Sequence, residues 1–306
     1  MSEPLLPPCT DGARERDDPM LGTAPPGRRW VLVERSGRWP ARGFADTDVE
    51  VGVRRAVVRA AQEAGARILL VRRPGRQDGS APRCWAVLEH EDSGDYRQTW
   101  GSWEQDRDLL QITEALRAPG TPGLPPVLLV CAHGLHDTCC AVRGRPVAAA
   151  LADRWPELVW ECSHVGGDRF AANVVVAPDG VYYGGLDAGS AVEVVTDHLA
   201  GRVTATHLRG YTTLSIPEQV AVVGALRELG PAGRHDLEVL GHTLPENGTG
   251  PGGVQRVRLR SRSHAAEITV ELSAERAPAA QLTCRAASPA RALVHQVTSV
   301  RVDRLP

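Results

Sequence analysis

Apolar residues in this chain fall in short runs separated by Gly- and Pro-rich breaks. Runs of that length predict strands wherever a three-to-four spacing is absent. Residues 29–34, 67–72, 84–89 and 96–100 read as four strands. Between the first two, Val53, Ala56, Val57, Ala60, Ala61 and Ala64 recur at helical spacing. A helix is therefore expected over 49–64, with Asp48 as its cap and Gly65 as its stop. Residues 103–117 place Leu109, Leu110, Ile112, Thr113 and Leu116 on one face and predict a second helix. Segments 75–82 and 92–95 are turn-rich, and the Pro/Gly run at 119–126 marks a linker.

The same order recurs beyond the linker. Strands are expected at 127–130 and 158–162, with a helix over 144–154 that tolerates Pro146 in its first turn. A hairpin of 172–177 and 180–183 turns at Pro178-Asp179-Gly180, and Ser190 caps a helix over 191–200. Strand, helix, strand, hairpin and helix is the layout of a thioredoxin-like fold. The chain is thus read as α/β (α+β), with two tandem thioredoxin-like lobes at 29–118 and 127–233. A further helix opens at Ser215-Ile216-Pro217-Glu218, a capping-box start. Residues 234–306 change to period-two alternation at 237–240, 254–259, 266–272, 280–284 and 294–300, which predicts a small all-β domain of about five strands. Residues 1–28, rich in Pro, Asp, Gly and Arg, are expected to form a flexible arm.

A length of 306 residues with 42% hydrophobic content supports a real core without help from disulfides or metal. The net charge of −2 gives no electrostatic case for nucleic acid or an anionic membrane as partner. No apolar run approaches the ~20 residues of a membrane span, and the first residues lack a basic-then-apolar signal pattern. The expected location is cytoplasmic. In a reducing compartment, an odd count of 7 cysteines argues for free thiols or metal ligands over a disulfide framework.

Four of those 7 cysteines, and three of the 10 histidines, fall between residues 127 and 185. Cys131 stands where a strand hands over to Ala132-His133-Gly134, and Asp137, Cys139 and Cys140 follow shortly before a helix. The positive end of that helix favours thiolates. The next strand ends in Cys162-Ser163-His164-Val165-Gly166-Gly167-Asp168. His164 and Asp168 can face one point, and Cys162 shares a face with His164 if the strand continues. The glycine pair lets the backbone approach a bulky group. Ligands of this softness at two neighbouring strand ends predict a metal or redox centre. The first lobe is empty of them, its strands ending in Glu34-Arg35-Ser36 and Arg72-Arg73-Pro74. Cys9 reads as incidental to a flexible arm, and Cys284 as a small buried hydrophobe.

Cys131-x-His133-Gly134-x-x-Asp137-x-x-Cys140, followed by Ser163-His164-x-Gly166-Gly167-x-x-Phe170-Ala171-x-Asn173 and a hairpin ending in Tyr183-Gly184, resembles the sucrase/ferredoxin-like proteins. The resemblance spans about residues 120–230 and extends weakly to Cys9 and Gly22-Thr23-Ala24-Pro25. It implies a thioredoxin-like ferredoxin holding a [2Fe–2S] cluster with two cysteines and two histidines spaced H-x-x-x-H. Carried onto this chain, the cysteines are Cys131 and Cys140 and the first histidine is His164. The second histidine position holds Asp168, a departure from the pattern. Ligand softness favours Cys162 in its place, and Cys139 can exchange with Cys140.

The function this implies is electron transfer or redox sensing with a protein partner, without nucleic acid or membrane, and not catalysis. Three readings compete with it: a zinc or other metal module on the same ligands, a thiol enzyme or sensor using Cys139-Cys140, and a structural protein whose cluster is lost. No C-x-x-C motif supports the thiol enzyme.

Overall fold

The computed structural model describes residues 8–75, 82–91, 95–243 and 253–305. The turns expected at 75–82 and 92–95 lie largely outside it. Where a flexible arm was expected, the chain forms helix α1 (Cys9–Glu15). Seven residues without a side-chain cap cannot hold a helix in isolation. Burial of Cys9, Thr10, Gly12 and Ala13 against the rest of the protein holds it.

The first half consists of β1 (Arg29–Glu34), α2 (Val51–Glu63), β2 (Ala66–Arg72), β3 (Arg83–His90) and β4 (Tyr96–Trp103). Helix α2 buries Val53, Val57, Ala60 and Ala61, the face its spacing predicts. Asp48 does not cap it and instead pairs with Arg35. The helix expected over 103–117 is broken. Trp103 still belongs to β4, and a 3-10 turn at Asp106–Leu110 leads into the short α3 (Gln111–Ala115). Asp108 accepts from the backbone N–H groups of Glu104 and Gln105 at 3.1 and 2.9 Å, a local bond set that competes with a regular helix.

Strand β5 (Thr121–Pro122) lies in the linker and pairs with β4. The second half consists of β6 (Val127–Cys131), α4 (Thr138–Arg154), β7 (Val159–Cys162), β8 (Val174–Ala177), β9 (Val181–Tyr183) and α5 (Ala188–Leu199). Helix α4 starts earlier than expected because Asp137 caps it, accepting from Cys139 N at 2.8 Å. Asp187, not Ser190, caps α5, and Ser190 is the other member of that capping box. After these come β10 (Arg202–Val203), β11 (Leu208–Tyr211) and α6 (Ile216–Leu229), the last with the expected Ser215–Glu218 capping box.

Both halves build one ten-stranded sheet, in the order β11-β9-β8-β6-β7-β2-β1-β3-β4-β5. Each half contributes a run of the same kind, β2-β1-β3-β4 and β7-β6-β8-β9. In both, the first pair is parallel and the others antiparallel. The halves meet where β2 and β7 pair antiparallel through Val71↔Cys162 and Arg72↔Glu161. Arg72 Nε also donates to Glu161 Oε2 at 2.7 Å across that seam. Helices α2 and α3 pack on the first half, while α4, α5 and α6 pack on the second.

After β12 (Ala232–Gly233), a separate four-stranded antiparallel sheet runs β13 (Leu237–Thr243), β14 (Gln255–Ser261), β15 (Ala266–Arg276) and β16 (Leu293–Arg304). Its apolar face, with Val257, Leu259, Ile268, Val270 and Leu272, packs on α6. The strand expected at 280–284 is absent. Residues 277–292 form an excursion closed by an Ala280–Ala290 bridge, and the excursion reaches back to the N-terminus of α4, where Asp137 holds it. Among the described residues no helix is long and apolar enough to cross a membrane.

A buried polar chain ties α5 to the turn between β8 and β9. Tyr183 Oη bonds His198 Nδ1, and His198 Nε2 bonds Asp179 Oδ2, both at 2.8 Å, while Arg234 pairs with the same oxygen. Burial opposes ionisation of Asp179, but the His198 bond and the charges of His198 and Arg234 outweigh it and hold the carboxyl below its usual range. A carboxyl depressed on folding stabilises above its unfolded value of about 3.9, and that stability is lost as pH falls through the folded value. Asp179→Asn is expected to lose about 3 kcal/mol at neutral pH. Urea midpoints at pH 7 and pH 3 should differ less in the variant than in wild type; equal acid sensitivity would exclude the network as the cause.

Candidate metal centre

Strand β6 is buried throughout and ends at Cys131, in parallel register with Cys162 at the end of β7. The chain then turns through His133, whose carbonyl accepts from the N–H groups of His136 and Asp137 at 3.0 Å. That turn delivers Asp137 to cap α4, so Cys139 and Cys140 lie in its first turn and not in a loop. Unpaired N–H groups there carry partial positive charge and favour thiolates. Consecutive helical residues point about 100° apart, so the two cysteines serve different neighbours.

Cys140 turns inward, its Sγ 3.3 Å from Asp168 Oδ1. The Cys131 thiol lies beside it and is pulled below its ordinary value. Donation from Cys140 is the main cause, opposed by burial and aided by the N–H groups of His133 and Val165. The Cys140 thiol is pushed up in return, first by that bond and then by burial. Asp168 opens a 3-10 turn after Gly167, whose φ of 79° is in the left-handed region. His164 Nδ1 stands 2.9 Å from Asp168 Oδ1, and His136 Nε2 stands 3.7 Å from Oδ2. Burial opposes ionisation of Asp168, but His164, His136 and Cys140 together hold it below the usual carboxylate range.

Cys131, Cys140, Asp168 and His164 therefore form a string with thiols at one end and imidazoles at the other. His164 Nδ1, although close to Asp168, is not aligned for a hydrogen bond and is a buried nitrogen without one. The His136 and His164 rings stack at 3.7 Å. They line a cleft of about 540 Å³ with His133, Arg42, Thr283 and Arg285, so the imidazole end faces solvent and the thiol end does not. His136, His164 and Asp168 offer donor atoms that all lie within 4.8 Å of one another.

Cys162 is fully buried, makes no hydrogen bond with these groups among the described residues, and has its thiol pushed well up by burial. The strand ends at Cys162, so it does not share a continuing face with His164. His136 was not singled out by sequence, although it stands three residues from His133 in the same turn. Cys139 faces away from this string and meets Cys9 and Cys284, the two cysteines that read as incidental.

These elements define a mixed α/β protein with two groups close enough to hold a metal, one of imidazoles with a carboxylate and one of thiols with a carboxylate. The chain belongs to the sucrase/ferredoxin-like family, whose profile matches residues 20–210. That span covers the ten-stranded sheet except Tyr211 at its edge, but neither α1 nor the excursion at 277–292. No curated protein and no solved structure matches the chain.

Proposed function

We propose that this is a cytoplasmic electron-transfer or redox-sensing protein that holds a [2Fe–2S] cluster through Cys131, Cys140, His164 and Asp168. The string of contacts from Cys131 through Cys140 and Asp168 to His164, beside the paired ends of β6 and β7, is the observation that carries the reading. The donor chemistry fits the group. Two buried thiols, one of them pulled below its ordinary value chiefly by a hydrogen bond from the other, stand at one end, and an imidazole nitrogen without a hydrogen-bond partner and a carboxylate at the other. Asp168 is favoured over Cys162 as the fourth ligand because it touches both Cys140 and His164. The repeated strand order of the sheet supports two tandem thioredoxin-like lobes, only the second of which carries ligands.

When bound, such a cluster accepts and returns one electron, at a potential that histidine ligation raises and carboxylate ligation lowers. The chain's own part is to seclude the thiol end and to leave the imidazole edge open to a redox partner protein at the cleft. A second reading, a zinc site on His136, His164 and Asp168, is favoured by the mutual closeness of their donor atoms. Absorption spectra with iron and acid-labile sulfide counts on anaerobically purified protein separate the two. Wild type and Cys162→Ser are expected to be coloured, and Asp168→Ala to lose its colour. Colourless wild-type protein carrying zinc at this site would sink the iron–sulfur reading.

A further inference from the structure

Three cysteines far apart in sequence meet on the other side of α4's first turn. Cys139 Sγ lies 3.7 Å from Cys9 Sγ and 3.3 Å from Cys284 Sγ. Cys9 Sγ lies 3.6 and 3.8 Å from the two carboxylate oxygens of Asp137. Donor atoms of all four residues fall within 4.8 Å of one another. Cys9 and Cys139 are buried, Asp137 is fully so, and Cys284 is half-buried.

We infer that Cys9, Cys139, Cys284 and Asp137 form a second metal site, separate from the cluster string, for a thiophilic tetrahedral cation, zinc(II). Zinc binds thiolate sulfur at about 2.3 Å and carboxylate oxygen at about 2.0 Å, so a regular tetrahedron has S···S edges near 3.8 Å and S···O edges near 3.5 Å. The S···S separations of 3.3 and 3.7 Å fall just short of the first edge and the S···O separations of 3.6 and 3.8 Å just beyond the second, with no large rearrangement needed.

Hydrogen-bond donors already face the sulfurs. Cys9 N–H donates toward Cys284 Sγ at 3.4 Å, and the Thr10 hydroxyl toward Cys139 Sγ at 3.3 Å. Arg143 Nε donates to that same hydroxyl at 3.0 Å while its Nη2 pairs with Asp11, which fixes the hydroxyl in place. Asp137 is already oriented. Its Oδ1 accepts from Cys139 N at 2.8 Å, and its Oδ2 from Cys284 N at 2.6 Å and the Thr283 hydroxyl at 2.8 Å. One lone pair of Oδ1 remains to face the sulfurs. Outer bonds of this kind fix ligand geometry in metal sites.

The site has a mechanical role as well. Cys9 is on α1, Cys139 on α4, and Cys284 on the excursion between β15 and β16. A bound zinc joins the two ends of the chain across the wall of the cluster site. This explains why 280–284 leaves its sheet, and why a cysteine pair stands side by side at the start of α4.

The test is cobalt(II) and zinc(II) titration of the full chain against a competing chelator, with iron counted in the same samples. Wild type is expected to take up one cobalt with the charge-transfer absorption of thiolate ligation. Cys284→Ser and Cys9→Ser are expected to weaken that binding by at least about 100-fold while iron and cluster absorption stay unchanged. Zinc is also expected to protect residues 277–292 from proteolysis in wild type, and a chelator to remove the protection. Unchanged circular dichroism of Cys284→Ser shows that its loss is local. Wild type that binds no cobalt, Cys284→Ser that binds like wild type, or loss of cluster colour in Cys284→Ser would each overturn the site. Iron retained in Asp168→Ala with cobalt binding unchanged counts only against the cluster reading.

Discussion

Gly144→Ala is expected to empty the cluster site and to destabilise the protein by about 2 kcal/mol or more, despite alanine's better helix propensity. A Cβ at Gly144 would lie 2.0 Å from the carbonyl oxygen of Cys131 and 3.1 Å from its carbonyl carbon. Both atoms are backbone at the end of a central strand, so neither can rotate away. The helix must move instead. Cys140 precedes Gly144 by one turn on the same face, and so moves with it. The 3.3 Å approach of Cys140 to Asp168 cannot survive that shift. Denaturant midpoint and iron content report the two effects separately. A variant that keeps wild-type values of both would show that α4 does not cross β6 as closely as described.

Arg209→Met is expected to cost about 4 kcal/mol, the largest stability loss of any single change considered. Arg209 is 1% exposed, and each of its three guanidinium nitrogens donates. Nε donates to the Thr23 hydroxyl at 3.0 Å and Nη2 to the Thr23 carbonyl at 2.6 Å. Nη1 donates to the Gly166 carbonyl at 2.9 Å and to Asn173 Oδ1 at 2.8 Å. No carboxylate pairs with it among the described residues, and burial pushes its pKa down to about 10, so it stays charged at neutral pH. Methionine fills the space but strands those acceptors without water. A Cβ at Gly167 would come 2.4 Å from Nη2, so the glycine pair serves this guanidinium as well as the turn. The loop so pinned carries Asp168, and iron content is expected to fall with stability. A urea midpoint within experimental error of wild type would refute the assignment.

The strands and α2 were legible because their signals are local: buried runs such as 30–33 and a helical face from Val53 to Ala61. The start of α4 was missed because its cap, Asp137, follows His-containing sequence with no apolar periodicity of its own. Residues 280–284 alternate as a strand does, yet they are held by Asp137, which is more than a hundred residues away in the chain. Helix α1 has only weak local signals, Asp11 in its first turn and Arg14 in its last, and exists through tertiary burial. For the same reason Cys9 and Cys284 carried no sign of their meeting. Cys131, Cys140, His164 and Asp168 were legible because two short motifs each hold a pair, and because parallel strand pairing brings two such ends together. The seam between β2 and β7 had no local signal at all, since two residue pairs make it.

That seam brings the ligand-free half against the imidazoles, and so selects their tautomers. A peptide carbonyl can only accept, so His133, bonded through Nε2 to Pro40 O at 2.9 Å, carries its hydrogen there. Its bare Nδ1 then accepts from His164 N–H at 3.3 Å. His136, bonded through Nδ1 to Ala41 O at 3.2 Å, must present Nε2 towards Asp168. In the neutral ring that nitrogen is a lone pair facing a carboxylate, an arrangement that repels unless a proton or a metal cation lies between. Two carbonyls from a half with no ligands of its own thus fix the tautomers of His133 and His136, and the one from Ala41 decides which His136 nitrogen faces the carboxylate.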